Sequence, residues 1–306
     1  MNKEDVHELL EEASKNNLTK IDLSYKNINY LPPEIGEMRE LRILDLEGNN
    51  LTTLPKEIGN LSNLEVLDLE ANKISKFPDE FFSLKNLRKL DISCNDFTIL
   101  PEEIGELTNL TIFELVGYQF TVLPNSIGKL KNLRKLYLNG NHITELPYEI
   151  GELSDLIVLN LESNHLTELP KEIGNLKNLQ VLNLKKNHLT FLPKEIEGLI
   201  NLEVLNLKGN KLKHLPKEIG KLRNLKRLEV IGYQLTELPD EIGELTNLEL
   251  LDLRYNYIKN LPSQMGNLVN LEILNLEGNK LEKFPKVIAK LDSLKSLKIS
   301  NNPITR

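Results

Sequence analysis

Leucine recurs along this chain with a fixed period. Leu41, Leu64, Leu87, Leu110, Leu133, Leu156, Leu179, Leu202, Leu225, Leu248, Leu271 and Leu294 each stand 23 residues after the one before, with no insertion, and Leu18 extends the series back by one. A period of this length marks stacked structural repeats. Within a unit, Leu44 and Leu46 alternate as in a short strand with one buried face, and Leu67 and Leu69 take the same places in the next unit, so the strands pair in parallel. Twelve of the 14 prolines, Pro32 to Pro285, fall at one position and are usually followed by an acid and by Ile, Gly and Leu. Proline needs no N–H and an early acid faces the positive end of a turn, which predicts a short 3₁₀ or α turn opposite each strand. Strands at about 4.8 Å on one side and wider turns on the other curve the stack, with the strands concave.

One unit holds too few apolar side chains to offset the ordering of its own backbone, so stability comes from its neighbours. Between units runs a column of asparagines: Asn49, Asn72, Asn95, Asn141, Asn164, Asn187, Asn210, Asn256, Asn279 and Asn302. An amide donates and accepts, so each can satisfy backbone groups of adjacent turns. Asn2, Glu4 and Asp5 suit the start of a helix whose face Val6, Leu9, Leu10 and Ala13 covers the first repeat. The expected division is a helical cap over residues 1–17 and a solenoid over 18–306, whose thirteenth repeat is cut short without a C-terminal cap.

The unit Leu41-Arg42-Ile43-Leu44-Asp45-Leu46-Glu47-Gly48-Asn49-Asn50-Leu51 matches the pattern L-x-x-L-x-L-x-x-N-x-L, and the chain resembles the 23-residue intracellular class of leucine-rich repeat proteins, as in Ras-suppressor-like, Scribble-like and many bacterial repeat proteins. The resemblance implies an α/β repeat solenoid, a horseshoe with a concave parallel sheet, and a non-enzymatic protein-binding scaffold. The entry segment is also similar to repeat domains that precede a Roc-type GTPase. That offers an alternative: a sensor or regulatory segment of a multidomain signalling protein whose catalytic part lies elsewhere.

Composition narrows the partner. With 38 Lys+Arg against 45 Asp+Glu the net charge is −7, Trp is absent and aromatics are 5%, so neither a polyanion nor a base-stacking platform is expected. One cysteine, Cys94, rules out an intrachain disulfide framework, and no apolar run approaches the length of a membrane span; the expected address is the cytoplasm. Catalytic motifs are missing, so no enzyme, cofactor or metal is expected. An open last strand would suit self-association.

Candidate contacts lie on the strand face. One column begins Asp22, Asp45, Asp68, Asp91, Glu114, and the first five repeats sum to −5 with Glu47, Glu70, Lys20 and Lys89 included. In the repeats from Leu179 to Leu248, Lys185, Lys186, Lys208, Arg227 and Arg254 oppose Glu229 and Asp252, a sum of +3. A face with two poles is predicted, and a protein partner that reads it. His142, His165 and His188 share one position in three successive units and are read as solvated loop residues. The asparagine column is broken twice by tyrosine, at Tyr118 and Tyr233, and in the same units the outward residue turns apolar, at Val116 and Ile231. These two units are predicted to anchor a protein ligand, with Gly117 and Gly232 letting the backbone bend.

Overall fold

The computed structural model describes residues 1, 3–117, 120–232 and 234–305. Its contacts divide the chain into two units, Met1–His142 and Ile143–Arg306.

The first unit opens with helix α1, Lys3–Lys15, whose Val6, Leu10 and Ala13 are buried. Six strands follow: β1 (Lys20–Asp22), β2 (Ile43–Asp45), β3 (Val66–Asp68), β4 (Lys89–Asp91), β5 (Ile112–Glu114) and β6 (Lys135–Tyr137). Each pairs in parallel with the next at a register of one repeat, so Leu44 faces Leu67 and Leu67 faces Leu90. The second unit carries β7 (Val158–Asn160), β8 (Val181–Asn183), β9 (Val204–Asn206), β10 (Arg227–Glu229), β11 (Leu250–Asp252), β12 (Ile273–Asn275) and β13 (Ser296–Lys298), paired in the same way. Within each unit this is the leucine-rich repeat architecture predicted from the pattern.

Three residues suffice for each strand because the central leucine and the one two places on both point into the core. Leu44, Leu46, Leu67 and Leu69 are fully buried, as are Leu182 and Leu184. Opposite the strands the chain makes five-residue 3₁₀ turns, such as Lys56–Asn60 and Lys171–Asn175. The proline sits just before each turn at φ near −65°, Pro170 at −64°, where its ring enforces the extended entry and no N–H is lost.

The asparagine column does what its chemistry predicts. In the second unit, Asn187 Oδ1 accepts the Leu166 N–H at 3.0 Å, and its Nδ2 donates to the carbonyls of Leu161 at 2.8 Å and Leu184 at 3.1 Å. Asn72 repeats the arrangement in the first unit, with Leu51 N at 3.0 Å and Leu46 O at 2.9 Å. Each amide thus closes backbone groups of two repeats at once, groups that burial would otherwise leave unpaired.

Periodicity says less about the first and last leucines. Leu18 is 44% exposed while Leu41 is fully buried, and Leu294, Leu297 and Ile299 are half-buried. An inner leucine is sandwiched between two repeats; these have one. No helix is long and apolar enough to cross a membrane among the described residues.

Candidate functional site

The strand face is built from the positions that alternate with the buried leucines. In the first unit Asp22, Asp45, Asp68, Asp91 and Glu114 are register partners on β1 to β5, so the acidic file is physical. Its aspartates have a local task as well. Asp45 Oδ1 accepts the Glu47 N–H at 3.0 Å, Asp68 that of Glu70 at 3.0 Å, and Asp91 that of Ser93 at 2.9 Å. This is an Asx turn that ends the strand and bends the chain toward the asparagine column.

Asparagine does the same work. In the second unit Asn183 Oδ1 accepts from Lys185 N at 3.2 Å and Asn206 Oδ1 from Lys208 N at 3.0 Å. The turn therefore requires an Asx oxygen and not a charge. That four consecutive repeats use aspartate is a property of the surface.

Among the described residues no ion pair reaches Asp45, Asp68 or Asp91. Asp68, Glu70 and Asp91 each bring a carboxylate oxygen within 4.8 Å of the others. Burial, with Asp91 alongside, pushes the Asp68 carboxyl up to about 6 against the hydrogen bond from Glu70 N, and burial also raises Glu70 and Asp91. The ammonium among them, Lys89, pairs with Glu114 at 3.1 Å. Three carboxylates this close suit an oxygen-seeking cation, or an ammonium or guanidinium group supplied from outside.

The second unit differs from the charge sum. Lys185 pairs with Glu162 at 2.7 Å, Arg254 with Asp252 at 2.8 Å, and Arg227 with Glu229. The hydrogen bond that Arg254 donates to Asp252 raises the Arg254 pKa, and although burial opposes it, Lys185 and Asn183 hold Glu162 below its ordinary value. The positive pole is largely satisfied within the protein. Glu162 escaped the count because it precedes the repeats summed, yet it stands 23 residues before Lys185 and is its lateral neighbour. Lys208 forms no ion pair among the described residues.

Tyr118 and Tyr233 lie outside the described residues. Their neighbours mark both units as backbone exceptions. Thirteen positions fall at the Gly117 register, and most, from Tyr25 to Asn301, sit at φ between 50° and 74°; Gly117 has φ 139° and Gly232 is not in the left-handed region. A Cβ on Gly232 would meet the Asn210 carbonyl oxygen at 2.8 Å, so this approach requires glycine. Glu114 cannot form the Asx turn, and Val116 N instead donates to Ser93 Oγ of the preceding repeat at 2.9 Å. Val116 is half-buried and Ile231 is 7% exposed.

A cavity of about 370 Å³ opens beside Ile231, lined by Lys208, Gly209, Asn210, Gly232, Arg254 and Tyr255. A larger one, about 650 Å³, lies among Tyr257, Lys259, Lys280 and Pro303 and shares no residue with the strand face. His165 and His188 stack with centroids 5.5 Å apart; His142 closes the first unit. Cys94 stands at the surface, and partial burial of its thiol with Glu70 and Asp91 nearby raises its pKa, the wrong direction for a nucleophile.

Comparisons with known proteins agree with this architecture. A family model described as leucine-rich repeat region matches residues 17–122, 102–186, 150–237, 171–254 and 228–304. The chain is 38% identical to a solved leucine-rich repeat protein of Leptospira interrogans, covering 96% of this chain and 87% of that one at a TM-score of 0.75. An internalin of Listeria monocytogenes shares the fold at a TM-score of 0.82, with 23% identity over 99% of this chain and 89% of that one. The plant peptide hormone receptor RGFR1, solved in complex with RGF2, is 30% identical over 93% of this chain and 55% of the receptor, with a TM-score of 0.67. No curated protein matches the sequence.

Proposed function

The chain belongs to the leucine-rich repeat family, and from that premise we propose that it is a non-enzymatic scaffold whose strand face binds a protein partner through the carboxylate file of its first unit. The observation that carries the reading is the close set of Asp68, Glu70 and Asp91, which no ion pair among the described residues closes, the nearby Lys89 being paired with Glu114. Like charges stacked on neighbouring strands cost free energy in the unbound protein, and a lysine or arginine of a partner would recover it. The relatives support an interaction role in general terms, the RGFR1 structure holding RGF2. Val116 belongs to the same reading as an apolar contact beside the charged file, and Ile231 as an apolar contact on the strand face of the second unit. A cytoplasmic address belongs to it too, since packing and asparagine amides hold the fold and nothing in it calls for a disulfide.

The test replaces Asp45, Asp68 and Asp91 together by asparagine, which keeps every Asx hydrogen bond and removes only charge. Immobilised wild-type protein should retain from a lysate a set of proteins that the D45N/D68N/D91N variant loses, while both melt cooperatively. An identical set on both columns would overturn the reading.

A further inference from the structure

The cavity at the end of β10 has a different chemistry from the acidic file. Ile231, 7% exposed, puts an apolar residue at the cavity wall where eleven other repeats carry a charged residue, serine or asparagine in line with it. Lys208 stands one repeat before it and Arg254 one repeat after, at the same register. Arg254 is spent on Asp252, whose carboxylate takes Nε at 3.0 Å and Nη2 at 2.8 Å, so its guanidinium is a wall of the cavity more than a free charge. Lys208 has no such carboxylate among the described residues, and its ammonium is the charge this cavity has to offer.

The Tyr255 ring packs directly on Gly278, where an added Cβ would come within 2.5 Å of it. Gly209 N donates to the Ile231 carbonyl at 2.6 Å and ties the two repeats together at the rim. An apolar surface, an aromatic wall and one uncommitted ammonium within about 370 Å³ match a group of a few carbon atoms that ends in an anion.

We propose that this cavity is a second docking point on the strand face and that it takes an acidic segment of a protein partner, with an apolar body set against Ile231 and a carboxylate on Lys208. A neutral apolar segment would leave the ammonium desolvated and unpaired, and a basic one would be repelled; charge complementarity selects the acid. The proposal deepens the strand-face reading and rests on it.

The experiment uses the full chain with isoleucine methyl groups labelled with carbon-13, titrated with phenylacetate, which joins an apolar body to a carboxylate. Acetate supplies the charge without the body and benzyl alcohol the body without the charge. Phenylacetate should shift the Ile231 methyl resonance saturably with a Kd of about millimolar, as its size allows. Each control should bind about tenfold more weakly or worse. Lys208→Gln should weaken phenylacetate about tenfold, Lys208→Glu should abolish the shift, and Lys186→Gln should change nothing. Retained methyl dispersion reports that each variant is folded. An Ile231 resonance that does not move, acetate equal to phenylacetate, or wild-type binding by both Lys208 variants would overturn the proposal. The D45N/D68N/D91N variant should bind phenylacetate as the wild type does, so failure of this cavity is distinguishable from failure of the acidic file.

Discussion

The first unit ends its strands with aspartate at Asp22, Asp45, Asp68 and Asp91, whereas the second uses Asn160, Asn183, Asn206 and Asn275 and keeps aspartate at Asp252. Both residue types accept the same N–H two places on, at 3.0 Å for Asp45 and 3.0 Å for Asn206. The backbone is thus indifferent to the choice, and the surface is not. In the first unit Asp68, Glu70 and Asp91 crowd one another and carry raised pKa values; in the second Glu162, Glu229 and Asp252 each hold a base. A slot required for architecture can still be filled in two ways, and only the way it is filled bears on binding.

That comparison assumes an identical scaffold beneath, which substitutions in the ladder can break. Asn72→Ala and Asn187→Ala each strand several buried backbone groups and should cost roughly 2–4 kcal/mol by denaturant unfolding, equal within about 1 kcal/mol. A large inequality would mean that the units are held differently.

A smaller effect sharpens the contrast in charge. The folded-state pKa of Asp68, about 6, lies above the ordinary 3.8, so the native chain binds this proton more tightly than the unfolded one. The resulting stabilisation is present below pH 4, is lost as pH rises through about 6, and is missing at pH 7. Asp68→Asn, which keeps the acceptor, should therefore raise stability at pH 7 by about 1 kcal/mol after solvent screening and reduce the gain in melting temperature on acidification. In the second unit Glu162→Gln should cost under about 1 kcal/mol, since it removes one half-exposed ion pair, and should free Lys185 to weaken binding of cationic probes. The smallest effect concerns the stacked imidazoles: calorimetric titration with zinc should show no saturable uptake at micromolar concentration, and a stoichiometric site lost in His165→Ala would contradict this.

The leucine period, the proline position and the asparagine column carried nearly all of the architecture, because each repeats a local rule at a fixed spacing. The acidic file was legible for the same reason, since parallel in-register strands turn a 23-residue step into lateral contact. What the column could not reveal is that its aspartates also close Asx turns, an interaction two residues along the chain that asparagine makes equally well. The charge sum overstates the positive pole because Glu162, which pairs with Lys185 across repeats, lies outside the repeats summed; the pairs Arg254–Asp252 and Arg227–Glu229 lie within it. Gly117 and Gly232 stood out in sequence through their neighbours; their departure from the left-handed geometry of the column is a backbone property that spacing does not encode.

The most direct test of the central claim is the salt dependence with which the chain binds a lysine-rich peptide. Wild-type protein should bind it at low ionic strength and lose affinity steeply between about 50 and 300 mM salt, while the D45N/D68N/D91N variant should bind about tenfold or more weakly with a flatter slope. Equal affinity and equal slope for the two proteins would contradict the account.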